Sequence, residues 1–220
     1  MIHPIVLYGD PVLRRRASPV TEFGPELQRL AEDMIETMYA ADGVGLAAPQ
    51  IGLPWRMFVA LEIGAQGDEE AREGQVMDDE DAGPLTQDQK RRSWGVVAEH
   101  VVVNPTITLS KDLQFGRDGC LSLPGLSVEE VPRALSVTLD YQDVHGEKRR
   151  LEAEGYFAHV LQHEFDHLEG VLFFDHLPAD RRELFLEENR ATLAGWQREA
   201  RAAAKERNTG KLLRAVPSRG

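Results

Sequence analysis

The chain has 220 residues, 42% of them hydrophobic, and a formal net charge of -12. That length and composition suit one enzyme-sized domain, expected over residues 1–207, and the acidic balance argues against nucleic-acid binding, specific DNA included. Cys120 is the single cysteine, which excludes an internal disulfide and suits a reducing compartment.

The opening stretch, MIHPIVLYGDPVLRRR, lacks the form of a secretory signal. No apolar run is long enough to span a membrane, so a cytoplasmic protein is expected. Across residues 23–39 the apolar positions Leu27, Leu30, Ala31, Met34, Ile35, Met38 and Tyr39 follow helical spacing, and Gly43 is a natural stop. The glycine-punctuated GVGLAAPQIGLP leads into strand character over residues 55–63. Residues 64–93 are acidic and almost without large apolar groups, which predicts a mobile surface insertion.

Strand character returns in WGVVAEHVVVNP, with a stop expected at Asn104 and Pro105. Alternation of Leu135, Val137, Leu139 and Tyr141 predicts a half-buried strand before a turn at His145 and Gly146. A helix is expected over residues 155–168. Asp180 and Glu183 resemble a capping box that opens a final helix to about Arg207, followed by a frayed tail over residues 208–220. From Gly195 to the end the charge is +5, a basic terminus on an acidic body. The expected class is α+β: short antiparallel strands packed around a central helix, with an amino-terminal and a carboxyl-terminal helix.

That central helix carries HEFDH, residues 163–167. Helical spacing places His163 and His167 on one face, able to share a metal, with Glu164 as a candidate general base. A catalytic site normally needs a third protein ligand and leaves a fourth position to water. The metzincin spacing fails, because Gly170 fits it but the position of its third histidine is Phe173. His176 matches no known spacing and reads as a surface residue. Many glutamates lie downstream, with nothing to choose among them. Cys120, in RDGCLSLPG, would be a strong ligand as a thiolate, although a lone cysteine is more often a small buried hydrophobe.

Taken together and in this order, GVGLAAPQ, DGCLSLP and HEFDH resemble the peptide deformylases, which remove the formyl group from the initiator methionine of new bacterial proteins. The resemblance runs from DPVLRRRASPV through VNP to HEFDHLEGVLFFD, leaving the acidic insertion and the tail outside it. It implies that Cys120, His163 and His167 bind one divalent metal, Fe(II) in the cell, with zinc, nickel or cobalt as replacements. It implies Glu164 as general base, and Gln50 with the backbone N–H of Leu121 as donors to the carbonyl oxygen. An N-formyl-methionyl peptide would lie extended along Val44, Gly45 and Gly119, with Val44, Leu126, His159 and Val160 lining its methionine pocket.

Two departures stand out. The family's usual glutamate before Gly-Cys is Asp118 here, and GLSVEE occupies the stretch where several relatives carry an arginine, so the acid–arginine pairing is expected to be missing. A zinc endopeptidase sharing the HExxH helix is the competing enzyme, and a non-catalytic metal-binding module is the other alternative. The basic terminus is a candidate ribosome contact.

Overall fold

The computed structural model describes residues 1–64 and 85–206. Helix α1 (Pro25–Ala40) leads to β1 (Gly45–Ala47) and β2 (Met57–Ile63). There follow α2 (Gln87–Ser93), β3 (Val96–Leu109), β4 (Leu113–Gly119), β5 (Ser127–Ala134), β6 (Ser136–Gln142) and β7 (Lys148–Glu154). Three helices close the described chain: α3 (Gly155–Glu169), α4 (Ala179–Glu188) and α5 (Arg190–Glu206). The expected α+β class is what the chain adopts.

The main sheet is antiparallel, in the order β1-β2-β3-β6-β7, while β4 and β5 pair separately. Strand β2 explains how the layers stack. Its side chains alternate across the sheet: Met57, Val59, Leu61 and Ile63 join Leu27, Ala31, Met34 and Met38 of α1. Phe58 and Ala60 instead join Ala158, Leu161 and Leu168 of α3. The two helices therefore cover opposite faces of the sheet, and α3 lies buried between that sheet and β5. A third cluster packs the Cys120 loop against Phe173, Phe174, Phe185 and Leu193, so the carboxyl-terminal helices support the loop from below.

Gly170 ends α3 in the left-handed conformation, φ 74°, and a Cβ there would stand 2.7 Å from the carbonyl carbon of Arg14. Only glycine meets both demands without strain.

Four sequence expectations change. Strand β3 does not stop at Asn104 and Pro105 but continues to Leu109 through a register irregularity between Val103 and Thr106. Asn104 takes φ 51° there, and its amide holds the bend by pairing with the backbone of Val20 and with Gln142. The final helix is two helices. Pro178 occupies the N-cap of α4 with no side-chain cap, which places Asp180 inside the first turn, where an acid suits the helix dipole. The break falls at Asn189, whose side-chain amide donates to the carbonyl of Phe185 in competition with the helical pattern.

Part of the expected insertion is helical. Residues 65–84, and the tail over 207–220, lie outside the described residues, but 87–93 form α2, capped by Thr86 in a box with Gln89. Lys90 of α2 is buried, donating to the carbonyl of Tyr39 at 2.6 Å and pairing with Asp42. Lys90→Met should cost about 1.5–3 kcal/mol, the range for a hydrogen bond to a charged group. Urea unfolding checks this; an unchanged midpoint would mean that α2 is not tied to α1.

Candidate metal centre

Local sequence delivers each part of the site on a different element. The i, i+4 spacing in α3 puts His163 and His167 on one face, with ring centroids 4.9 Å apart and Nε2 atoms 3.2 Å apart. The loop after β4 brings Cys120 Sγ to 3.3 Å from His167 Nε2. All three are buried, and their ligand atoms lie within 4.8 Å of one another. Tetrahedral ligands at usual bond lengths stand about 3.3 Å apart for two nitrogens and about 3.6 Å for sulfur and nitrogen. The observed spacings fit one ion held by one thiolate and two imidazoles.

Electrostatics agree. Burial alone would raise the Cys120 thiol, but the imidazoles of His167 and His163 outweigh it and bring its pKa to about 5. The Cys120 sulfur also accepts from the Gln50 amide and the backbone N–H of Ser122, each at 3.4 Å. Gln50 is buried in a 3-10 turn, Ala48–Ile51, and its carbonyl oxygen takes the Ala47 N–H at 2.8 Å. The amide is thereby fixed with its donor end toward the sulfur.

Glu164 is buried, and burial raises its pKa to about 7 against the downward pull of His163 and His167. Its Oε2 has no hydrogen-bond partner among the described residues, an expensive state unless something else enters the site. The other side of this carboxylate presses on Gly45: a Cβ there would fall 2.7 Å from Glu164 Cδ. Glycine is what lets β1 run so close to the carboxylate.

The acid–arginine pairing expected to be missing is present, supplied from β5. Arg133 donates to Asp118 Oδ2 at 2.7 Å, and Asp118 Oδ1 receives His163 Nδ1 at 2.7 Å. The sequence reading sought the arginine immediately after the cysteine loop, whereas antiparallel pairing of β4 with β5 brings it from further along. Arg133 also holds Asp166, and His176 joins the pair at 2.6 Å from Asp166 Oδ2; with its side chain 32% exposed, His176 is a half-buried residue at the rim of this polar network. Burial opposes ionisation of Asp118, yet His163, His159 and Arg133 hold its carboxyl well below the ordinary range. Sequence reasoning also missed Gln162, which clamps the end of β5 through the N–H and carbonyl of Ala134.

The expected peptide-contact residues divide. Val44 and Val160 share one apolar cluster, Leu126 packs beside Cys120 in another, and Gly119 approaches Leu126 closely. His159 is buried with its Nε2 3.1 Å from Asp118 Oδ2. Leu121 makes close contact with Gly43, where a Cβ would meet its Cδ1 at 2.7 Å.

Comparison with known proteins decides the family. The family model for polypeptide deformylase matches residues 2–183. The chain belongs to that family. The peptide deformylase of Thermus thermophilus is 53% identical over 212 residues, covering 96% of this chain and all of the relative. That of Thermotoga neapolitana is 41% identical over 184 residues, covering 83% of this chain and 92% of its own. The crystal structure of the peptide deformylase from Thermus thermophilus superimposes with a TM-score of 0.74 at 50% identity, covering 90% of this chain and 99% of that one. For the Thermotoga maritima structure the TM-score is 0.63 at 38% identity, with 81% and 99% covered. The chain is therefore a deformylase, a hydrolase, and no helix among its described residues is long and apolar enough to cross a membrane.

Proposed function

We propose that this deformylase removes the N-formyl group from the initiator formyl-methionine of new polypeptides by metal-dependent hydrolysis, releasing formate in the cytoplasm. One observation carries the reading: a buried Cys120–His163–His167 cluster stands beside a buried Glu164 with an unpartnered oxygen. The three ligands would hold one divalent cation. Fe(II) is the proposed ion in the cell, with zinc, nickel or cobalt as replacements, all compatible with mixed thiolate and imidazole donors. Such a cation supplies Lewis-acid polarisation of a carbonyl and lowers the pKa of water beside it.

The protein's own groups do the rest. Glu164 takes the proton from the attacking water and passes it to the leaving amine, a task suited to a carboxylate with pKa about 7. Gln50 Nε2 and the backbone N–H of Leu121 donate to the formyl oxygen as it gains charge. Strands β1 and β4 are each paired on one side only among the described residues, which supports a peptide adding as a strand along Val44, Gly45 and Gly119. Val44, Leu126 and Val160 offer apolar surface for methionine. The basic segment from Gly195 onward is a proposed contact with the ribosome, supported by its charge.

Chelation of the purified protein should abolish formate release from a formyl-methionyl peptide, and anaerobic Fe(II) should restore it. Undiminished release after complete metal removal would overturn the reading. Cleavage of internal peptide bonds without formate would favour the endopeptidase.

A further inference from the structure

Asp118 stands behind the metal cluster with its carboxylate fully engaged. Oδ1 receives His163 Nδ1 at 2.7 Å, while Oδ2 is shared by Arg133 at 2.7 Å and His159 Nε2 at 3.1 Å. Asp118, Arg133 and His159 are 4%, 3% and 6% exposed, so the carboxylate and both of its Oδ2 partners are shielded from solvent. His159 and His163 are one helical turn apart on α3, and a single carboxylate spans both rings.

We infer that His159 is a positioning residue: through Asp118 it fixes the ring plane of the metal ligand His163. Arg133 alone does not fix that carboxylate, because the same guanidinium is drawn also to Asp166 and lies 3.2 Å from His176. A second donor from α3 itself ties the carboxylate to the helix that carries His163, so acid and ligand keep one frame. Strand β4 runs beside the other edge of the His159 ring at Gly116, where a Cβ would stand 3.3 Å from its Nδ1. One ring nitrogen faces Asp118 and the other faces β4, so the polar edge of the ring is turned to the carboxylate behind the cluster. A carboxylate that orients a ligating imidazole also raises its basicity, and the loss of such support commonly weakens metal binding about 10–100-fold.

The inference rests on Cys120, His163 and His167 being the metal ligands. Its test uses His159→Leu and His159→Gln beside the wild type. Cobalt affinity is measured by chelator competition, the cobalt–thiolate spectrum is recorded, and kcat/KM is compared for formyl-methionyl and formyl-alanyl peptides. Leucine should weaken cobalt binding about 10–100-fold and shift the spectrum. Glutamine, which keeps a donor, should bring affinity back to near the wild-type value, and the preference for methionine should be unchanged in both.

Wild-type affinity and spectrum in the leucine variant would overturn the inference, as would equal losses in both variants that track a lowered thermal midpoint. A changed methionine preference at wild-type affinity would return His159 to the pocket. Should the leucine variant not fold, the glutamine variant decides alone: near-wild-type cobalt binding supports the inference and a lost thiolate spectrum overturns it. Absence of a thiolate spectrum in the wild type would instead strike at the ligand assignment itself.

Discussion

Glu164→Gln is expected to lower kcat by about 10²–10⁴-fold while metal content stays at the wild-type level. The amide keeps the shape of the carboxylate, so the close passage of Gly45 against it survives. What disappears is the ability to accept and return a proton. Burial has brought the Glu164 carboxyl to about 7, against the pull of the two imidazoles, so it exchanges protons near neutral pH. A carboxylate at its ordinary pKa would bind the proton too weakly to deliver it. The replacement should not unsettle the cluster, because neither Cys120, His163 nor His167 takes its orientation from a hydrogen bond to Glu164. Metal analysis and single-turnover formate release on the same preparation check both halves. Turnover within tenfold of wild type would remove Glu164 from the chemistry, and lost metal would make it part of the binding cluster.

The parts legible in the sequence were those set by local spacing. Apolar periodicity gave α1 within two residues at its start and one at its end, because the same face that repeats in sequence is the one buried against β2. The HExxH pair needed only the pitch of a helix. Strands β4 and β5 were not read, and the reason is physical: in β4 the apolar Leu113 and Phe115 are 59% and 65% exposed, while the buried side chain is Asp118. Alternation is therefore inverted, and hydrophobic pattern alone points the wrong way. Asn104 misled for a related reason, since its side chain satisfies the backbone at a bend that the strand passes through. The polar network was beyond local reading altogether. It joins Asp118 of β4, Arg133 of β5, His159 and Asp166 of α3, and His176 of the short turn Phe173–His176, which only the tertiary fold brings together.

That network makes the loss of Arg133 costly in stability. Its side chain is 2% exposed, and it faces two carboxylates, Asp118 and Asp166, whose own side chains are 3% and 16% exposed. Coulomb attraction offsets the desolvation of all three only while the guanidinium is in place. Arg133→Met fills similar volume but leaves Asp118 charged and short of a partner, and breaking a buried pair on one side typically costs about 3–5 kcal/mol. Equilibrium urea unfolding of the metal-free protein measures this without interference from ligand binding. The double replacement Arg133→Met with Asp118→Asn should recover part of the loss, because the buried charge goes with its partner. If the single variant unfolds at the wild-type midpoint, the pair contributes nothing net. If the double variant is the weaker by the sum of the two single losses, the residues act independently. Partial recovery together with weakened metal binding would place the pair where the geometry has it, holding Asp118 in position behind His163.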